Sequence, residues 1–233
     1  MGIWANFGEK FYQNFIADNR WRYLTDGLKN TVLISFFAVL IGVAIGFTIA
    51  MIRTTHDKTG QFKFLNMLAK LYLTVIRGTP ALIQLLLIYY VVFASVDVSK
   101  ILVACIAFGL NSGAYVAEIF RSGIMSIDRG QTEAGRSLGL NYWTTMWLIV
   151  MPQAIKNILP ALGNEFIVLL KETSISGYIA IQDLTKGGDI IRSRTYEAFL
   201  PLISVALIYL VIVIALEKLV AAMERRLAKS DYR

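Results

Sequence analysis

Residues 131–152 read QTEAGRSLGLNYWTTMWLIVMP, and the order of small, polar and apolar residues in this stretch decides how the rest of the chain is read. Glu133-Ala134-Gly135 is followed after three residues by Gly139, then after nine by Ile149, and the stretch closes on Met151-Pro152. Gln131 to Asn141 is helix-compatible up to Gly139, where a left-handed cap is expected because a Cβ is penalised there. Tyr142 to Met151 predicts a second short amphipathic helix, and Pro152 suits the first turn of the next one, where a missing N–H costs nothing. An ordinary helix-turn-helix connection between two spans also fits these residues.

The flanking sequence is made for lipid. With 56% hydrophobic residues, 17% charged residues and a mean hydropathy of +0.58, the 233-residue chain departs from water-soluble composition. Four uncharged apolar runs, 31–52, 78–96, 101–117 and 198–216, are each long enough to cross or nearly cross a hydrocarbon layer of about 30 Å. A fifth span is expected over 152–170, although Lys156, Pro160, Gly163, Asn164 and Glu165 interrupt its hydropathy. The fold class is therefore an all-α membrane protein with about five transmembrane helices in one domain, residues 1–233. Twelve Lys and Arg on the segments facing one side against nine on the other favour an outside N-terminus and a cytoplasmic C-terminus. Before the first span, Trp4, Phe7, Phe11 and Phe15 recur at helical spacing. Residues 1–28 thus form either an interfacial segment lying aromatic side down in lipid or a tail packed on neighbouring spans.

Several functions are excluded by what the chain lacks. The net charge of +7 is accounted for by anionic headgroups, and no basic groove with interleaved aromatics points to nucleic acid. Cys105 and His56 stand alone, so neither a disulfide nor a metal cluster is expected, and no Gly-x-Ser-x-Gly elbow appears. Nor is there a Gly-x-x-x-x-Gly-Lys-Ser/Thr cradle for nucleotide phosphates. The chain reads as no enzyme, with no cofactor of its own.

The 133–152 pattern resembles the EAA loop of permease subunits of bacterial ABC importers, with Gly135 and Met151 in place of the usual alanine and leucine. Three further blocks resemble the branch that carries polar amino acids: Arg77-Gly78-Thr79-Pro80-Ala81-Leu82-Ile83-Gln84-Leu85, Asn111-Ser112-Gly113-Ala114-Tyr115-Val116-Ala117-Glu118, and Leu159 to Phe166 with Leu170 to Ser174. The likeness runs from about Leu24 to Glu224-Arg225-Arg226; Ile175 to Tyr178 departs from the family's valine-rich norm.

This resemblance implies a type I ABC importer permease fold in the cytoplasmic membrane, with 131–152 as a cytoplasmic coupling loop. Glu133, Ala134, Gly135, Gly139, Ile149 and Pro152 would then engage a cytoplasmic ABC ATPase dimer that holds ATP and Mg. The implied partners are a second permease subunit, identical or homologous, and an extracytoplasmic amino acid binding protein. For the substrate pathway, intramembrane polar groups are the candidates, because such groups normally face a protein interior or wet cavity. Glu165 with Asn164, where Pro160 and Gly163 loosen the helix, would accept an ammonium; Arg77 with Asn111 would donate to a carboxylate; Glu118 and Glu172 complete the set. Structural roles compete at each: Arg77 snorkelling to an interface, Glu118 pairing with Arg121, Glu165 bridging helices. An ion-gradient-driven secondary transporter using the same carboxylates is the alternative.

Overall fold

The computed structural model of the chain describes the backbone of residues 2–228 and the side chains of residues 7–227. Trp4 of the aromatic series, and Lys229 and Arg233 of the twelve Lys and Arg counted on one side, have side chains outside that range. Ten α-helices follow one another: α1 (Gly2–Phe11), α2 (Trp21–Thr59), α3 (Lys63–Gly78), α4 (Ala81–Leu87), α5 (Lys100–Met125), α6 (Arg129–Ser137), α7 (Tyr142–Thr145), α8 (Met151–Glu172), α9 (Leu184–Thr195) and α10 (Phe199–Ala228). No strand occurs among the described residues.

Among the described residues three helices, α2, α5 and α10, are long and apolar enough to cross a membrane, and α3 with α4 and the wide turn after it form a bent pair that is either a broken fourth span or a re-entrant loop. The bend is 109°. It falls inside the run 78–96 that hydropathy presents as one span, and Pro80 causes it. Proline supplies no N–H and forces the residue before it out of the helical region, so Thr79 is extended (φ −124°, ψ 146°). The carbonyls orphaned at the end of α3 are recovered by one side chain: the Gln84 amide nitrogen donates to Ile76 O at 2.8 Å and Thr79 O at 3.0 Å.

Packing gives the helices their directions. Gly42 of α2 lies against Ser112 of α5, and Gly46 against Val116, so α2 and α5 run parallel, and α3–α4 must return the chain between them. Ile158 meets Gly123 while Glu165 meets Ser112, so α8 runs antiparallel to α5. Val220 meets Gly163 and Val205 meets Gly188, which returns α10 parallel to α2. The 22-residue α8 occupies the stretch where a fifth span was expected and runs the length of the bundle, but its polar residues keep it out of the helices apolar enough to cross a membrane.

The close approach of α2 and α5 has a sequence cause. Both carry glycines four apart, Gly42/Gly46 and Gly109/Gly113, the spacing that lets two helix backbones approach in lipid. A Cβ on Gly46 would lie 2.7 Å from the Ala117 nitrogen, and one on Gly109 2.7 Å from Ile41. Around this seam sit two apolar clusters, one built on Phe108, Leu85 and Leu169, the other on Val116, Met146 and Ile158. A third, with Leu24, Leu184 and Ile191, closes the opposite end of the bundle from α6 and α7.

That end also holds the N-terminal segment. Phe7 and Phe11 stack with centroids 6.5 Å apart and are about half exposed, whereas Phe15 is buried beside Asn14, which donates to Glu197 at 2.7 Å. Phe15 and Asn14 thus anchor the segment to the bundle, while Phe7 and Phe11 leave two rings half-exposed on α1.

Candidate functional sites

The 131–152 stretch folds as a compact hook. Asp128 caps α6 by accepting from the Gly130 N–H at 2.7 Å, and Asn141 caps α7 through the Thr144 N–H at 2.9 Å. Between them Gly139 stands at φ +78°; the Leu140 N–H reaches Gly135 O at 3.0 Å and the Gly139 N–H reaches Arg136 O at 2.9 Å, a Schellman closure. The expected left-handed cap is there.

Gly135 is buried, and a Cβ on it would stand 2.7 Å from Thr145 and 3.3 Å from Ile149, so its smallness lets α6 lie on the following helix. Pro152 stands in the first turn of α8, as expected, although that helix follows α7 without a break in helical backbone. The chain is helical from Tyr142 to Glu172, with one wide turn at Met146–Val150 in which the Met151 N–H bonds to Met146 O. Proline at 152 has no N–H to give its own fourth-previous carbonyl, and widening the turn absorbs that loss without a break. The exposed residues of the hook include Glu133, Ala134 and Leu138 on α6, the last 77% exposed, and Trp143, Trp147 and Leu148 beyond the turn; Glu133 makes no ion pair among the described residues.

The six pathway candidates divide into separate groups. Ser112 donates to the Glu165 carboxylate at 2.7 Å, and Glu172 follows two turns along the same face of α8. Asn164 is exposed beside them. The helix is unbroken through Pro160 and Gly163, against the expected loosening; Gly163 is small because Val220 of α10 presses on it, at 2.7 Å from where a Cβ would stand. Asn111, 3% exposed, donates to the Gln84 oxygen at 2.9 Å and so braces the bend between α3 and α4. It does not pair with Arg77. That guanidinium lies 3.8 Å from Glu118, whose carboxylate also meets Arg53 at 2.7 Å and Arg121 at 3.9 Å. Arg121 reaches on to Asp57 at 3.6 Å. Arg53, Lys70, Arg77 and Glu118 line an open cleft of about 470 Å³ on this side.

Sequence reasoning missed Arg53, Ser112 and Gln84. Ser112 and Gln84 stood inside the quoted blocks, and burial of a polar residue in an apolar helix was the available signal. Arg53, one residue beyond the first apolar run, was legible only as a cation at a helix end. Cys105 is buried and unpaired, and His56 sits in the last turn of α2 with Nδ1 3.6 Å from Asp57. No grouping of His, Cys, Asp and Glu suited to a metal occurs among the described residues.

A multi-crossing helical bundle, with polar groups facing its interior and a rigid hook projecting from one end, is the architecture of a membrane permease. The chain belongs to the family of binding-protein-dependent transport system inner membrane components, whose pattern matches residues 42–229. It is 36% identical to the arginine transport system permease protein ArtQ of Bacillus subtilis over 90% of this chain and 94% of that one. It is 34% identical to the glutamine transport system permease protein GlnP of Escherichia coli over 88% and 92%. Among solved structures, a subunit of an amino acid ABC transporter crystallised with histidines superposes with a TM-score of 0.82 at 44% identity, covering 91% of this chain and 98% of that one. A methionine ABC transporter chain shares the fold at a TM-score of 0.70 and 18% identity, covering 90% and 96%. The protein is thus a multi-pass inner-membrane permease subunit with the type I ABC importer fold, driven through ATP rather than an ion gradient, and non-catalytic itself.

Proposed function

We propose that the chain forms, with a second copy or a close homologue, the membrane pathway for a polar amino acid handed over by an extracytoplasmic binding protein. The relatives named for arginine and glutamine transport and the structure holding histidines support an amino acid as cargo. The hook carries this reading: capped at both helices and locked by Gly139, it presents Glu133, Ala134 and Leu138 as a rigid contact for an ATPase dimer. ATP and Mg belong to that dimer. In this orientation the hook is cytoplasmic and the N-terminal segment outside. Closure of the ATPases draws two hooks together and switches access to the cavity.

Within the cavity, Glu165 with Ser112, and Glu172 beyond them, accept the substrate ammonium, while Asn164 adds a polar contact. Arg77 and Glu118 stand nearer the hook end, where they act on passage rather than on first capture; Asn111 positions the bend through Gln84. Co-purification of the chain from its own bacterium tests the assembly. An ATPase and a binding protein in the preparation are expected; uptake that survives ATP depletion and collapses with the proton or sodium gradient would overturn the reading.

A further inference from the structure

Beside the hook, a cleft of about 610 Å³ opens between the last turns of α2 and α5 and the helices α6 and α7. Its floor is apolar, with Ile124, Met146 and Val150, and its rim carries Lys58, Arg121, Arg129 and Arg136 against Asp57 alone. Arg121 already engages Asp57 at 3.6 Å. Lys58, Arg129 and Arg136 make no ion pair among the described residues, so three cations border an unfilled space. Thr54 and Thr145 also border the cleft, at 5% and 1% exposure.

The depth of the cleft identifies the ligand class. The uncharged run of α2 ends at Ile52, and Thr54 to Thr59 lie about 3–10 Å further along the axis at 1.5 Å per residue. The polar layer outside the hydrocarbon is about 5–8 Å thick on each side. Cations and apolar wall together at that level suit an amphipathic anion entering from the lipid, and the volume falls in the roughly 300–1,000 Å³ range of small-molecule sites. We propose that the cleft binds the headgroup phosphate of an anionic phospholipid from the leaflet that surrounds the hook. Lys58, Arg129 and Arg136 neutralise the phosphate, and Ile124 and Met146 carry the glycerol end of the chains. Bound there, the lipid braces the hook against the ends of α2 and α5.

The test is lipid retention by the intact transporter, purified with its partner subunits and read by native mass spectrometry. Complexes exchanged into phosphatidylcholine with phosphatidylglycerol should keep phosphatidylglycerol in preference. K58Q/R129Q/R136Q should lower its retention several-fold, and T54V/T145V, which changes no charge, should weaken it less. Equal retention by wild type and the triple variant overturns the site. So does release of the lipid by inorganic phosphate alone, which would assign the cations to a soluble anion. Absence of a phosphatidylglycerol preference in the intact transporter, with the lipid gained only once the ATPase is stripped, would make the cleft part of the protein contact and overturn the lipid assignment. The readout needs no transport, so failure of the amino acid reading and failure of this one are distinguishable.

Discussion

The Arg53 guanidinium of α2 lies 2.7 Å from the Glu118 carboxylate of α5, and Glu118 simultaneously faces Arg77 of α3 at 3.8 Å. One carboxylate thereby holds three helices at the hook end of the bundle. With side chains 16% and 33% exposed, the Arg53–Glu118 pair is neither dry nor fully solvated.

Removing that carboxylate leaves three guanidinium groups facing one another. Glu118→Ala should destabilise the protein by about 1–3 kcal/mol, between the values for exposed and buried ion pairs. A lowered thermal midpoint in detergent, partly restored in the R53Q/E118Q double variant, checks this; an unchanged midpoint would show the cluster to be inert.

Gly46 is the tightest point of the α2–α5 seam. Gly46→Val should cost about 1–3 kcal/mol or more, because the added atoms meet Val116 and the Ala117 backbone rather than a flexible side chain. Gly8→Ala, where nothing lies within 4 Å of the new Cβ, should leave folded yield at the wild-type level. Size-exclusion profiles and thermal midpoints of the two variants provide the comparison.

At Gly139 the effect is conformational. A β-branched residue held at φ +78° costs about 1–2 kcal/mol, enough to favour reopening of the turn between α6 and α7. Gly139→Val should retain membrane insertion yet separate ATP hydrolysis from uptake in reconstituted vesicles. Tight coupling in that variant would mean the turn does not transmit force.

Glu133 is solvent-facing and unpaired, so its reversal tests docking without disturbing the fold. Glu133→Lys should cut uptake and ATPase stimulation several-fold while the permease alone melts as the wild type does. Normal stimulation would move the contact elsewhere on the hook.

Inside the bundle, Glu165→Gln keeps the Ser112 hydrogen bond in reach while removing a charge. Substrate affinity or selectivity should change, measured as uptake kinetics across basic, neutral and acidic amino acids. Kinetics identical for every substrate would leave Glu165 a structural tie between α5 and α8.

How far the sequence could be read followed from the range of each interaction. Lipid demands long apolar runs, so the spans beginning at Thr31, Ile101 and Ala198 were visible locally, and Gly139 declared its turn because a Cβ penalty is a single-residue property. The polar α8 needed the family likeness. The local pair Glu118–Arg121 was legible, three positions apart on one helix, but long-range partnerships were beyond reach: Asn111 meets Gln84 across 27 positions, Ser112 meets Glu165 across 53, and Arg53 meets Glu118 across 65. Prolines differ by position: Pro152 sits in the first turn of α8, Pro160 lies inside a helix that continues, and Pro80 follows the end of one.

Two parallel helices fused backbone to backbone along Gly42, Gly46, Gly109 and Gly113 behave as a single pillar, with no room to slide. The jointed limb between them, α3 with α4, is held at its elbow by one amide side chain from Gln84. That packing predicts that a change of shape during a transport cycle leaves the pillar whole and falls at the elbow.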